Sequence, residues 1–247
     1  MFALFSKEIK SFFGSLIGYI IICTFLVATG LFLFIIPDSG SNNNILNSGF
    51  ASLEPLFVMA PWLYLLLIPA MTMRSFADEK LLGTLELIVT KPISDLQIVL
   101  AKYLANVVIL ALTLIPTIVY YFTVYNLGAP EGNIDRGATL GSYIGLFLLG
   151  AIFISIGIFS SSITKNQIIA LIISIVLSIF CYIGFEFIAD LGIFRKYDLI
   201  IDQLGISYHY YSVSQGQIDS RDVIYYFTAI AFFILLTKLV LSARKWK

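Results

Sequence analysis

The sequence predicts an all-α membrane protein with six transmembrane helices, and three observations carry that prediction. Of the 247 residues, 59% are hydrophobic and only 12% charged, and the mean hydropathy is +0.95, whereas a soluble domain is nearer half apolar and a quarter charged. Six stretches reach the length needed to cross a hydrocarbon core of about 30 Å at about 1.5 Å of helical rise per residue. They are residues 15–36, 55–72, 103–124, 142–163, 167–187 and 224–241. The runs are continuously apolar rather than alternating, so they read as helices, which satisfy every backbone group within the span.

Lysines and arginines orient the spans. With the N-terminus inside, 11 of the 15 basic residues fall inside and 4 outside, while 10 of the 15 acids fall outside. Both termini are therefore expected in the cytosol, and the whole chain is expected to form one transmembrane domain.

The first 13 residues, "MFALFSKEIKSFF", lack a small-residue cleavage site at the distance a secretory signal requires. At 100° per residue Phe2, Phe5, Ile9, Phe12 and Phe13 share a face, with Lys7 and Ser11 opposite. This pattern fits a helix lying in the membrane interface with its lysines toward anionic headgroups; a simple extension of the first span is the alternative. "PDSGSNNNILNSG" (37–49) and "NLGAPEGNIDRGATLG" (126–141) read as turn-rich outer loops, and "SSSITKNQ" (160–167) as a tight inner turn. Pro61, Pro69 and Pro116 are candidate kinks. "GSYIG" (141–145) is a G-x-x-x-G that permits close helix contact, either within the chain or at a dimer seam. Residues 188–223 are too apolar for a free loop and fit short helices dipping into the outer leaflet.

Several chemistries find no support. No G-x-x-x-x-G-K-[ST] phosphate cradle and no H-E-x-x-H metal motif occurs. Cys23 and Cys181 stand apart in apolar runs, as buried small hydrophobes do. With a single histidine, His209, metal-ligand sets and a Ser-His-Asp site are poorly supported. No catalytic or metal residues are assigned, no cofactor is expected on the chain, and a net charge of zero gives no sign of a nucleic-acid partner. His209 sits among Tyr208, Tyr210 and Tyr211, where stacking in the headgroup belt competes with an outer contact for cargo or a pH response. Buried charge of the kind that marks ion relays is scarce. Lys102 and Lys238 lie near inner ends of spans, where they can snorkel, Glu186 lies near an outer end, and Asn106 is the one polar centre of note.

The anomaly is "MRSFADEKLLGTLELIVTKP" (73–92), a charged segment between two apolar runs. Read as one helix, it puts Ala77, Leu81, Thr84, Leu85 and Ile88 on one side, and Ser75, Glu79, Gly83, Glu86 and Thr90 on the other. Asp78 and Glu79 suit a helix start, Lys91 suits a helix end, and Pro92 stops it. This makes it a short amphipathic helix at the inner membrane face, either a connector or a partner-binding element.

"RSFADEKLLGTLELIVTKPIS", followed by "QIVLAKYL", resembles the cytosolic coupling segment of type-2 ABC transporter permeases. The positions that carry the resemblance are Arg74, Phe76, Glu79, Lys80, Gly83, Thr84, Glu86, Pro92 and, beyond them, Lys102. More narrowly, "KEIKSFFGSLIGY", "APWLYLLLIPAMTMRSF", "GAPEGNID" and "QLGISYHYYSVSQGQIDSRD" are similar to the permease subunit of gliding-motility ABC transporters (the Gld system). The resemblance implies a permease of the bacterial inner membrane, paired with a second permease copy or paralogue in membrane lipid. It also implies that a separate cytosolic ABC ATPase carries the ATP and magnesium, and that Arg74, Phe76, Glu79, Lys80, Gly83, Thr84, Glu86 and Pro92 form the ATPase-coupling segment. A membrane scaffold that recruits a cytosolic partner without moving cargo is the alternative, and an intramembrane enzyme is disfavoured.

Overall fold

The computed structural model describes residues 1–36, 44–48, 51–89, 93–192, 198–217 and 219–243. Most of the expected loop at 37–49, together with Thr90, Lys91 and Pro92, lies outside these residues.

Among the described residues the secondary structure is entirely helical. Helix α1 (Phe2–Phe13) precedes the long apolar α2 (Leu16–Phe34), and a single turn, α3 (Ile45–Ser48), follows. Helix α4 (Glu54–Thr72) continues almost unbroken into α5 (Arg74–Leu81), and α6 (Thr84–Val89) comes after a two-residue turn. The third long element is α7 (Asp95–Leu114), a 3₁₀ turn at Ile115–Thr117, and α8 (Ile118–Leu127). Then come α9 (Arg136–Ile163) and α10 (Gln167–Ile179), the latter joined through a π turn at Phe180–Gly184 to α11 (Phe185–Asp190). Two short helices, α12 (Asp198–Asp202) and α13 (Ile206–Ser214), lead into α14 (Ser220–Ala243). Six of these elements are long and apolar enough to cross a membrane.

Local chemistry sets the boundaries. Ser15 accepts from the Gly18 amide at 3.3 Å to start α2. Ser94 and Gln97 form a reciprocal capping box at the start of α7, which satisfies two otherwise unpaired donors. Asp135 and Asn166 cap α9 and α10 through the amides of Ala138 and Ile168. Of the three candidate kinks, only Pro116 interrupts its helix, at the 3₁₀ turn; Pro61 and Pro69 stay inside a continuous α4.

The hub is α9, with 78% of its apolar window buried, against 22% for the α10–α11 span and 28% each for α2 and α14. It packs against α4, α7, α10, α13 and α14. Helices in lipid gain little from hydrophobic exclusion and associate through close packing instead, which small residues allow. A Cβ on Gly157 would stand 2.0 Å from Thr72 Oγ1, one on Gly150 2.5 Å from Leu110, and one on Gly145 2.5 Å from Val213. At Gly141 the neighbour is backbone, with Gly216 Cα at 2.9 Å. The G-x-x-x-G pair therefore seats α13 on α9 within one chain. Buried hydroxyls along the spans, such as Thr29, Thr72, Thr113 and Thr237, donate to the carbonyl four residues earlier, which satisfies each donor within its own helix.

Candidate functional site

Alternation of the six spans gathers α1, α5, α6 and the C-terminal end of α9 at one end of the bundle. At the opposite end lie α12 and α13. The charged segment at the first end is not one helix. Gly83 adopts φ +69°, a left-handed conformation open to glycine and strained for most other residues, and this splits it into α5 and α6. The faces also differ from the single-helix projection. Glu79 and Ser75 are buried, while Leu81 and Leu82 are 64% and 73% exposed. Glu86 is exposed on α6, and Thr84 Oγ1 donates to the Glu79 carbonyl at 3.5 Å.

Glu79 is buried because a cation meets it there. Lys102 of α7, 1% exposed, places its ammonium 3.0 Å from Glu79 Oε1 and 2.8 Å from Glu8 Oε1 of α1. It also sits 5.0 Å from the centroid of the fully buried Phe76 ring. Lys7 approaches the same Glu79 oxygen at 2.8 Å. Lys102 therefore does not snorkel: it pairs inward and binds α1, α5 and α7 together. Asn106, one turn on, donates to the Lys102 carbonyl at 2.8 Å. Lys7 joins this cluster although its side chain remains 55% exposed. Burial works to lower its pKa, but the Glu79 and Glu8 carboxylates outweigh this and hold it above 10.5.

A second set of bonds fixes the α4–α5 junction to α9. Ser161 Oγ accepts from the amides of Phe76 and Ala77 at 2.9 and 3.1 Å, and donates to the Met73 carbonyl at 2.8 Å. Lys80 donates to the Ser162 carbonyl, and Asp78 accepts from the Gln167 side chain at the start of α10. Thus Phe76, Glu79, Lys80, Gly83 and Thr84 form one connected structure, with Arg74 beside them. Glu86 stands apart on the open side, and Pro92 lies outside the described residues. Lys7, Glu8, Ser161 and Gln167 were missed as members of this site. Each lies far from it in the chain, and only the unusual lysine at the start of a span hinted at the cluster.

At the opposite end, His209 is a structural fastener. Its Nδ1 lies 2.7 Å from Asp222 of α14 and its Nε2 2.9 Å from the Gln203 carbonyl. The ring stacks on Tyr225 at 3.9 Å. Tyr210 is buried rather than in an exposed belt, and donates to the Phe57 carbonyl at 2.6 Å. Tyr208 and Tyr211 are exposed, at 42% and 69%. These residues border a cleft of about 1100 Å³ that also includes Glu186, Asp190 and Asp202. Burial raises the Asp202 pKa, and the Glu186 and Asp190 carboxylates add to the shift.

Among known families, the one described as "ABC-2 family transporter protein" matches residues 20–243. No curated protein gives a significant match.

Proposed function

The chain belongs to the ABC-2 family of transporter proteins, and from that membership we propose that it is the permease of a gliding-motility export system whose ATPase docks on α5 and α6. The observation that carries this reading is the construction of those two helices. Their inner side is bonded to α1, α7, α9 and α10 through Glu79, Ser161, Lys80 and Asp78. Their outer side offers the exposed Leu81–Leu82 pair beside Glu86, across the Gly83 turn. An apolar tip beside a charge suits insertion into a protein groove. A displacement applied there reaches four elements at once, through bonds to the Phe76, Ala77 and Ser162 backbone, the Glu79 ion pairs and the Gln167 side chain.

In this reading the N-terminus, α5 and α6 face the cytosol, and α1 lies along the inner membrane surface. ATP and magnesium reside on the partner. The apolar face of α10, with Ile168, Ile172 and Val176 between 54% and 66% exposed, suits a second permease copy or lipid.

The test is co-purification with the ATPase, together with ATP-dependent transport by the reconstituted pair. Glu86→Lys and Leu82→Asp should weaken capture of the ATPase while membrane insertion persists. Capture at wild-type yield by both variants sinks the docking site. Binding without ATP-dependent transport favours the scaffold reading instead.

A further inference from the structure

A cavity of about 280 Å³ lies between α1, α2, α4, α5 and α7. Its wall is divided by polarity. Ile17 and Ile21 of α2, Ala70 and Met71 of α4, and Ile109 of α7 are on the apolar side, and all belong to long apolar helices. Lys7, Ser11, Ser15, Arg74, Asp78 and Glu79 are on the polar side. Ser15 caps the start of α2, and Arg74 follows the end of α4 by two residues. The cavity therefore straddles the level at which a span leaves hydrocarbon for headgroups.

Its wall contains an unanswered charge. Arg74 has neither a hydrogen bond nor an ion pair among the described residues, and its Nε is buried without a partner. A guanidinium cannot lose its proton in a protein, so a half-buried arginine calls for an anion with acceptor oxygens. The nearby carboxylates have other engagements. Glu8 and Glu79 share Lys7 and Lys102, and Asp78 accepts from Gln167. Glu79 Oε2, also buried, has no donor. Three cations and three acids line the cavity, so the wall is balanced overall while leaving one donor and one acceptor unmet. A purely anionic headgroup would meet the three carboxylates; a zwitterion meets both needs.

We propose that this cavity binds the phosphoethanolamine headgroup of a phospholipid, with the phosphate on Arg74 and the ammonium on the Asp78–Glu79 side. The acyl chains leave along the apolar wall between α2 and α4. The bound lipid supplies the counter-charge that Arg74 lacks, and adds a lipid contact to the helices already joined by the Lys102 cluster. This site does not depend on the docking of an ATPase, so its failure leaves the permease reading untouched.

The experiment uses the full chain in nanodiscs of phosphatidylcholine doped with phosphatidylethanolamine or phosphatidylglycerol, followed by native mass spectrometry. The wild type should retain one phosphatidylethanolamine in preference to phosphatidylglycerol. Arg74→Gln should weaken retention about ten- to hundredfold, the loss expected for a charge-assisted bond. Ala70→Phe, which leaves every charge in place but fills the apolar wall, should do the same. Soluble phosphoethanolamine and inorganic phosphate should compete poorly, because neither carries an acyl chain. Circular dichroism establishes that each variant is folded. Equal retention by the wild type and both folded variants overturns the site, as does preference for phosphatidylglycerol or full displacement by inorganic phosphate.

Discussion

Lys102 of α7 and Glu79 of α5 face each other at 3.0 Å, 23 residues apart in sequence, with 1% and 9% of their side chains exposed. Taking both charges out of water is costly, and the pair holds only because Glu8 and Lys7 complete it. Lys102→Met should leave two largely buried carboxylates without their central cation and destabilise the protein by about 3–5 kcal/mol, the usual cost of removing one partner of a buried pair. Adding Glu8→Gln and Glu79→Gln to that variant should recover much of the loss. Thermal unfolding in detergent checks both, and a triple variant no more stable than the single one would contradict the cluster's energetics.

Ser161 is a small residue with an outsized contact set. Ser161→Ala removes the acceptor for two buried amides, Phe76 and Ala77, and each buried donor left unpaired costs about 1–3 kcal/mol. The local consequence should be faster hydrogen exchange at the start of α5 with little change in the middle of α9. Unchanged protection of α5 would mean another acceptor takes over.

Two glycines should respond to alanine for different reasons. At Gly157 the new methyl meets Thr72 Oγ1 at 2.0 Å, so α4 and α9 must separate, at about 1–3 kcal/mol for overpacking. Thr72→Ser should not relieve this, because it keeps the hydroxyl oxygen, whereas Thr72→Ala should relieve it in part, Thr72 Cβ remaining 2.8 Å from the new methyl. At Gly83 no atom lies within 4 Å of the new methyl, but φ is +69°, so alanine costs about 1–2 kcal/mol through the backbone alone. Gly83→Asn should be better tolerated than Gly83→Ala. Melting temperatures of the paired variants decide.

Lys7 gives the pH prediction. Its folded pKa is raised above 10.5 because Glu79 and Glu8 outweigh the opposing effect of burial. Its pair with Glu79 therefore contributes fully below pH 10.5 and is lost as pH rises through the higher folded value. Below that point, amine acylation at Lys7 should be slower in the wild type than in Glu79→Gln, and the difference should close at more alkaline pH. Mass-spectrometric labelling rates test this, and equal rates at pH 9 would exclude the pair.

The Asp202 carboxyl has the same sign of pH dependence as Lys7 but the opposite cause. Burial and the neighbouring Glu186 and Asp190 raise its pKa above 3.8, so its charged form is disfavoured by the fold. Stability should rise as pH falls through the folded value toward 3.8. Asp202→Asn should remove that contribution, as pH-dependent unfolding of the two proteins will reveal.

Much of this architecture was legible in the chain itself. Lipid demands long, continuously apolar helices with internally satisfied backbones, and that requirement is written residue by residue, so the six spans follow from hydropathy. The segment around Arg74–Glu86 declared itself by composition. What periodicity cannot tell is which charge meets which. A helical projection put Glu79 on a polar and therefore exposed stripe, and put Leu81 among the apolar residues to be covered. Instead Glu79 is buried against residues 72 positions earlier and 23 later, and Leu81 is left in the open. Likewise "GSYIG" signals close packing but not its partner, which Gly216 and Val213 of the chain itself provide. The sequence alone determined an all-helical membrane protein with a charged segment between its second and third spans. The tertiary structure decided that this segment bends at Gly83 and turns its acid inward. The reason is that a buried carboxylate is tolerable only where cations converge on it, and Lys7 and Lys102 are brought together by folding, not by their places in the chain.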